Sequence, residues 1–145
     1  MSLIKAAGYT VEIVAGAPVT LDIAGFSAQS HVEIGEVTSV SAFGAVVNIG
    51  EVKALSRQVL DRFEGSIDPG KVDLSASRDP ADPGQIIVAA GIGQGTHSLK
   101  LTDSSGFIVY ATCLVASYTT EPSDSDSVIK TSISLPLRMI PIAGQ

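Results

Sequence analysis

The chain has 145 residues, the usual length of one domain, and its 45% hydrophobic content is enough to fill a core without disulfides. A formal net charge of −6 argues against a protein that grips nucleic-acid phosphates through clustered Lys and Arg. The N-terminal residues are too weakly apolar for a signal peptide, and no apolar run approaches the length of a membrane span. We therefore expect synthesis in the cytoplasm and no membrane partner.

Alternating apolar and polar residues predict strands through the first half of the chain. A hairpin is expected first, with a tight turn at 16–18. Its apolar positions are Tyr9, Val11 and Ile13, then Val19, Leu21 and Ile23. Further strands are predicted around Val32 and Ile34, at 71–77 and at 98–102. The pattern is blurred at 46–55, where Gly50 is the candidate bulge.

The longest predicted strand, 107–120, is apolar on both faces. Such a strand needs cover on each side, from a helix or from a neighbouring subunit. The last predicted strand, 128–137, is one-sided. Its inward positions are Ile129, Ile133, Leu135 and Leu137, and its outward positions are Lys130, Ser132 and Ser134.

One short helix is predicted from about Pro83 to Ala90. Asp82 is the N-cap candidate, Pro83 suits the first helical position, and Gln85 has the spacing of a capping box. Gly91 is placed to end the helix. Because the helix is short and apolar, it must pack on a sheet to be stable.

Two stretches are irregular. Residues 56–70 mix charges with large apolar residues and are predicted to form a long loop between strands, whose apolar content indicates a partner surface. Residues 121–127 are small, polar and acidic. The chain is expected to be one domain, 1–145, with a short N-terminal arm at 1–8 and a C-terminal tail at 138–145.

No pattern of catalytic, metal-ligating or cofactor-binding residues stands out. The glycines at 91–95 follow the helix rather than precede it, which favours a helix-to-strand turn over a phosphate loop. Asp124 and Asp126 lack the rest of a calcium loop, and His31 and His97 have no companion at metal-ligand spacing. Cys113 lies in an apolar run and is interpreted as a buried hydrophobe. We expect a protein that is not an enzyme.

The middle of the chain carries two ordered motifs. Gly65, Asp68 and Gly70 form a Gly-x-x-Asp-x-Gly turn before a strand. An Arg-Asp-Pro-x-Asp-x-Gly-Gln helix start follows, with its motif residues at Arg78, Asp79, Asp82 and Gln85. These features resemble the tail tube (major tail) protein family of siphophages, most strongly from 56 to 91.

The resemblance implies a mainly β, tail-tube-like fold: a two-sheet β-sandwich or barrel with one short flanking helix. It also implies a structural virion protein that assembles into six-membered rings, which stack into the tail tube. The implied partners are other copies of the chain, a tape-measure protein, a tail terminator and tail-tip or baseplate proteins, with DNA passing transiently. The implied localisation is the virion tail, after the host cytoplasm.

Other functions compete with this one. The first alternative is a tube protein of a contractile tail or of a type VI secretion apparatus, which shares the fold. The second is a β-sandwich binding module, although the chain has no Trp and three Tyr to stack on sugars. A hydrolase comes third, because no nucleophile-elbow sequence is present.

Two surfaces are candidates for assembly. The 56–70 segment is assigned to ring stacking, as opposed to a loop folded over its own core with Phe63 as a plug. Its candidate residues are Arg57, Leu60, Asp61, Arg62, Phe63, Glu64, Ile67 and Asp68. The polar face of the last strand, including Ser132 and Ser134, is assigned to the lumen, as opposed to an ordinary wet outer face.

Overall fold

The computed structural model describes residue 3 and residues 7–56, 58–122 and 124–144. Within these ranges the chain forms eleven strands and two short helices. Their bounds are β1 Thr10–Ala15, α1 Ile23–Ser27, β2 Val32–Glu33, β3 Val37–Val40, β4 Val46–Val52, β5 Asp61–Asp68, β6 Lys71–Ser77, α2 Pro83–Ala90, β7 Thr96–Thr102, β8 Ile108–Leu114, β9 Ser117–Glu121, β10 Lys130–Pro136 and β11 Ile142–Gly144. No helix within the described ranges is long and apolar enough to span a membrane.

The strands form two antiparallel sheets and a separate two-stranded ribbon. The five-stranded sheet has the order β11-β8-β7-β1-β2, and the four-stranded sheet has the order β3-β6-β10-β9. The ribbon consists of β4 and β5, which pair only with each other. The mainly β, two-sheet architecture with a flanking helix at Pro83–Ala90 is therefore confirmed.

The core lies between the two sheets because the inward positions of their strands are aliphatic. From the five-stranded sheet come Val11, Ile13, Leu99, Leu101 and Ala111, and from the four-stranded sheet come Val72, Leu74, Ile133 and Leu135. Val88 of α2 joins the same cluster and is fully buried. The period-two alternation seen at 71–77, 98–102 and in the last strand thus marks one buried face of each strand.

The predicted strand around Val19, Leu21 and Ile23 is wrong. After β1 the chain runs irregularly through 16–22 and then forms α1. The carboxylate of Asp22 accepts a hydrogen bond from the backbone N–H of Gly25 at 2.7 Å, which caps the start of a helix. Because this cap competes with strand pairing, the alternation at 19–23 does not produce a hairpin.

The predicted long strand 107–120 is two strands. β8 belongs to the five-stranded sheet and β9 to the four-stranded sheet, so the chain crosses between the sheets at Val115 and Ala116. Ala116 N–H donates to the carbonyl of Ser134 at 3.0 Å on the far side of this corner. Alternation does not reveal such a corner, because the residues that make it are also apolar.

A helix covers the outer face of β8. The apolar character of this strand predicts cover by either a helix or a neighbouring subunit. The ring of Phe26 in α1 stacks on the ring of Tyr110, with centroids 5.2 Å apart and planes 11° apart. Phe26 is fully buried and Tyr110 is 4% exposed. The expected C-terminal tail also contributes to this sheet, because β11 pairs with β8 as an edge strand. Most of the expected N-terminal arm lies outside the described residues.

Candidate assembly surfaces

The segment predicted to be a loop contains a strand, so that prediction is wrong. β5 pairs antiparallel with β4 in a ribbon, and every residue of β5 is exposed. The register shifts where Asn48 of β4 faces two residues of β5, Gly65 and Ser66, so the bulge lies in β5 rather than at Gly50. The strand is hard to recognise from the sequence because both of its faces are exposed. A strand without a buried face does not need a regular alternation of apolar and polar residues.

The pairing register divides the ribbon into two unlike faces, since residues directly opposite each other share a face. Val46, Gly50 and Val52 share one side of β4, and Phe63 lies on that side because it opposes Gly50. We call this side the Phe63 ribbon face. Val46, Val52 and Phe63 are each half-exposed or more.

Phe63 is held in place by the glycine opposite it. A Cβ atom built on Gly50 would lie 2.1 Å from the Phe63 ring, so the ring lies directly over the Gly50 backbone. The ring is nevertheless 55% exposed. The alternative in which Phe63 plugs its own core is therefore wrong: the ring packs on the ribbon and points its free side outward.

The opposite face of the ribbon mixes charged and apolar groups. Arg62 pairs with Glu51 at 3.5 Å. Ile49 is 53% exposed and lies opposite Glu64, and Val47 lies opposite Ile67, which is 50% exposed. The amide of Asn48, on the Phe63 ribbon face, donates to the hydroxyl of Ser66 at 2.9 Å.

The structure thus separates the candidate stacking residues. Asp61, Phe63 and Asp68 lie on the Phe63 ribbon face, whereas Arg62, Glu64 and Ile67 lie on the opposite one. Leu60 precedes β5 and is partly exposed. Arg57 lies outside the described residues.

The ribbon joins the sandwich at a close pair of glycines. Gly44 and Gly70 have φ values of +145° and +93°, a region that side chains disfavour. A Cβ atom on Gly70 would lie 2.3 Å from the carbonyl oxygen of Gly44, so the two backbones touch here. Leu137 N–H donates to the Gly70 carbonyl at 2.9 Å and ties this base to the end of β10.

The middle of the outward face of the four-stranded sheet is built mainly from small hydroxyl residues. Ser132 of β10 lies between Ser75 and Thr119, and Ser134 lies between Asp73 and Ser117. A shallow concavity on this face is lined by Ser39, Ser41, Asp73, Ser75, Ser117, Ser132 and Ser134. We call this surface the hydroxyl face.

The charges at the outward positions of these strands balance. Lys71 pairs with Asp73 at 3.5 Å, and Lys130 lies directly across from Glu121. Ser132 and Ser134 therefore sit on an electrically neutral surface rich in hydrogen-bonding groups.

Hydrogen bonds from the helix-start motif join α2 to the sheets. Gln85 is 1% exposed, and its amide donates to the carbonyls of Gly35 at 3.2 Å and Ser77 at 2.9 Å. Its carbonyl oxygen accepts from the backbone N–H of Asp79 at 3.1 Å. Asp82 caps the helix at Gln85 N–H and also accepts from Gly35 N–H, at 3.0 and 2.9 Å. The capping prediction for Asp82 holds, but Gln85 reaches the neighbouring strands instead of the cap residue.

The other two motif residues also act locally. Arg78 donates to the Thr120 hydroxyl at 3.3 Å through its guanidinium and to the Ile129 carbonyl at 2.9 Å through its backbone. The Asp79 carboxylate accepts from Ala81 N–H at 3.0 Å. The motif therefore orients α2 against the sandwich and contributes structure rather than a ligand site.

The described residues contain no group of three His, Cys, Asp or Glu side chains suited to hold a metal ion. Burial raises the pKa of Cys113 to about 12, so its thiol stays protonated. Burial also lowers the pKa of His31, whereas His97 is buried beside the Gly95 carbonyl at 3.0 Å. Asp124 is part of an exposed turn, in which it accepts from the Ser127 hydroxyl at 2.7 Å.

No protein-family model matches the chain, and no curated protein matches it. Solved structures do match. The SPP1 tail tube has a TM-score of 0.69 at 12% identity, over 98% of this chain and 79% of that chain. The tail of the empty GTA particle, computed with C6 symmetry, has a TM-score of 0.67 at 10% identity, over 94% and 95% of the two chains.

A structure of the extracellular contractile injection system PVC, its sheath/tube terminator in the extended state, has a TM-score of 0.67 at 13% identity. It covers 100% of this chain and 99% of that chain. The chain has a tail-tube fold.

Proposed function

We propose that this chain is the subunit of a phage tail tube, which assembles into six-membered rings that stack around a channel for DNA. The observation that carries the proposal is the Phe63 ribbon face, on which Val46, Val52 and Phe63 stay exposed within the described residues. An exposed apolar surface of this kind is typical of an interface. The tail-tube fold supplies the kind of partner, which is another copy of the chain.

Ring closure is supported by the open edges of the four-stranded sheet. β3 and β9 are its two outer strands, so each has one row of backbone groups that no strand of this sheet pairs. In a ring, the β3 edge of one copy would meet the β9 edge of the next, which is a head-to-tail contact that can close. The C6 symmetry of the similar GTA tail is consistent with six copies.

The hydroxyl face then lines the channel. Joining the four-stranded sheets of neighbouring copies edge to edge leaves this face on one continuous surface. A neutral surface of small hydroxyl groups neither attracts phosphate strongly nor repels it, which suits transient passage of DNA. The implied structural partners are a tape-measure protein, a tail terminator and tail-tip or baseplate proteins, with the virion tail as the location.

A second candidate is the tube of a contractile system. It is favoured by the match to the PVC structure, which covers both chains almost completely. TM-scores of 0.69 and 0.67 do not separate the two kinds of tube. The motifs at 65–85 favour the non-contractile tail. A sheath gene next to this one would support the contractile alternative, and a tape-measure gene without a sheath gene would support the first.

Negative-stain electron microscopy of the purified protein at high concentration tests the common part of the proposal. Rings or tubes with a central channel are expected. A protein that stays monomeric, even with tape-measure and tail-tip proteins present, would contradict it. Image averaging of the rings would count the subunits directly.

A further inference from the structure

A short segment that contains α1 and ends at His31 covers part of the outer face of the five-stranded sheet. We call residues 22–31 the α1 cover. Two of its rings lie on the ring of Tyr110 in β8. Phe26 stacks on it, and His31 lies over it at a centroid distance of 6.0 Å with the planes 39° apart. The α1 cover is therefore held on Tyr110 by two rings, one of which can take up a proton near neutral pH.

The buried side of the His31 ring has no acceptor for a second proton. Its Nε2 atom is buried and has no hydrogen-bond partner among the described residues. The side-chain oxygen of Gln29 is also buried without such a partner, so these two groups do not bond each other. Protonation of His31 would place a positive charge beside an unmatched buried group, which is unfavourable.

The charged groups on this face of the sheet offer the protonated ring little compensation. Glu12 of β1 and Lys100 of β7 form an ion pair at 3.7 Å, and their side chains are only 24% and 28% exposed. Glu33 of β2 lies directly across from Glu12 but is exposed to water. The elements α1 and β11 contain no charged residue. Because Glu12 is already paired with Lys100, a charged His31 would have to compete with Lys100 for it.

We propose that the α1 cover is an acid-sensitive element, which opens from the five-stranded sheet and uncovers Tyr110 when His31 is protonated. Opening removes the His31 ring from its buried position and lets water solvate the charge. The event goes beyond the proposed function and does not depend on it, because it takes place within one chain.

The direction of the pH effect follows from the environment of the ring. Burial lowers the pKa of His31 from its ordinary value of 6.5; the charge of Glu12 opposes this shift and the charge of Lys100 adds to it. Above pH 6.5 the ring is neutral in the closed and open forms alike, so the cover is most stable there. As pH falls below 6.5, the open form binds the proton more readily than the closed form. The closed form therefore loses stability until the pH passes below its lowered pKa.

The other titratable group of the α1 cover keeps its charge in this range. The backbone N–H of Gly25 lowers the pKa of the Asp22 carboxyl, and the hydroxyl of Thr20 lowers it further. The helix cap is therefore intact at the pH values at which His31 takes up its proton. Loss of the cap does not account for an opening in this window.

Hydrogen exchange measured by mass spectrometry tests the opening. The purified protein is studied from about pH 7.5 to about pH 5.5, above the range in which most carboxylates titrate, and rates are converted to protection factors. The amides of Phe26 and Ala28 bond to carbonyls within the α1 cover. Their protection should fall by up to about tenfold at one pH unit below 6.5, since one proton is linked to opening. The amides of β7 and β8 should keep their protection.

Four variants identify the group that titrates. His31→Gln should make the protection of the α1 cover independent of pH in this range. His97→Gln is the matched control, because the chain has two histidines, and it should keep the wild-type loss. Lys100→Met frees Glu12 to pair with protonated His31 and should reduce the loss, whereas Glu12→Gln should increase it. The last two variants leave both histidines in place and therefore test the proposal even if a histidine variant folds poorly.

Three results would overturn the proposal. The first is protection of the α1 cover that stays constant down to about pH 5.5, where a neutral His31 is no longer expected in the open form. The second is an equal loss of protection in β7 and β8, which would mean that the whole domain opens. The third is a loss that persists in His31→Gln or that Lys100→Met and Glu12→Gln change in the same direction. These readouts come from the single chain, so they leave the test of tube formation untouched.

Discussion

Replacing Phe63 with alanine should weaken assembly far more than it weakens the folded monomer. The ring is 55% exposed, so about 110 Å² of a side chain of roughly 200 Å² is available for an interface. Burying that area at about 25 cal/mol per Å² is worth at most about 3 kcal/mol for each contact. This free energy corresponds to about a 100-fold weaker association for each contact.

The assay is the lowest protein concentration at which tubes sediment, measured beside the thermal unfolding of the monomer. We expect this concentration to rise steeply for Phe63→Ala, with the midpoint of monomer unfolding little changed, because the ribbon lies outside the core. Ile49→Ala is the matched control on the other face and should assemble almost normally. If Phe63→Ala lowers the monomer midpoint in proportion to the loss of tubes, or if Ile49→Ala does equal harm to assembly, the assignment of the two faces is wrong.

Three further predictions concern other parts of the molecule. Gln85→Leu should lower the free energy of unfolding in urea by about 3 kcal/mol, since it removes three hydrogen bonds to the partly buried backbone of Gly35, Ser77 and Asp79. An unchanged value would mean that water replaces the amide. Replacing both Ser132 and Ser134 with lysine should still allow tubes to form but make the tubes retain DNA in a salt-sensitive way. Co-sedimentation of DNA with the tubes measures this, with a Ser-to-Asn double variant as the control. No added retention would argue that the hydroxyl face is outside the channel. Native Cys113 should resist thiol reagents at pH 8 and react once the chain is unfolded, and rapid labelling of the native protein would contradict its burial. Because burial raises the pKa of the folded thiol to about 12 from 9.0, its contribution to the free energy of unfolding is lost as pH rises above about 9.

The motif at 78–85 shows how far the sequence could predict the site. The spacing of Asp82, Pro83 and Gly91 predicts the helix and its cap, because those signals act over a few residues. The same spacing assigns Gln85 to a capping box, whereas its amide bonds to Gly35, 50 residues away in the chain. Local rules do not include that partner.

The ribbon shows the opposite case. Every residue of β5 is exposed, so the alternation of buried and exposed positions that reveals β6 or β10 is missing there. What identifies it is the register with β4, in which Gly50 faces Phe63. The separation of Phe63 from Arg62 and Glu64 follows from that register alone.

The sequence by itself determined the mainly β class, the one-sided strands, the capped helix and the absence of an evident catalytic motif, because these depend on local periodicity and residue chemistry. The tertiary structure decided where the chain crosses between sheets, which helix covers Tyr110, and that 61–68 is a strand with Phe63 and Arg62 on opposite faces. These features depend on which segments pair with each other although they are distant in the sequence. The free energy of that pairing comes from residues of both segments. The surfaces proposed for assembly belong to this second group, since strand pairing decides which residues share each surface.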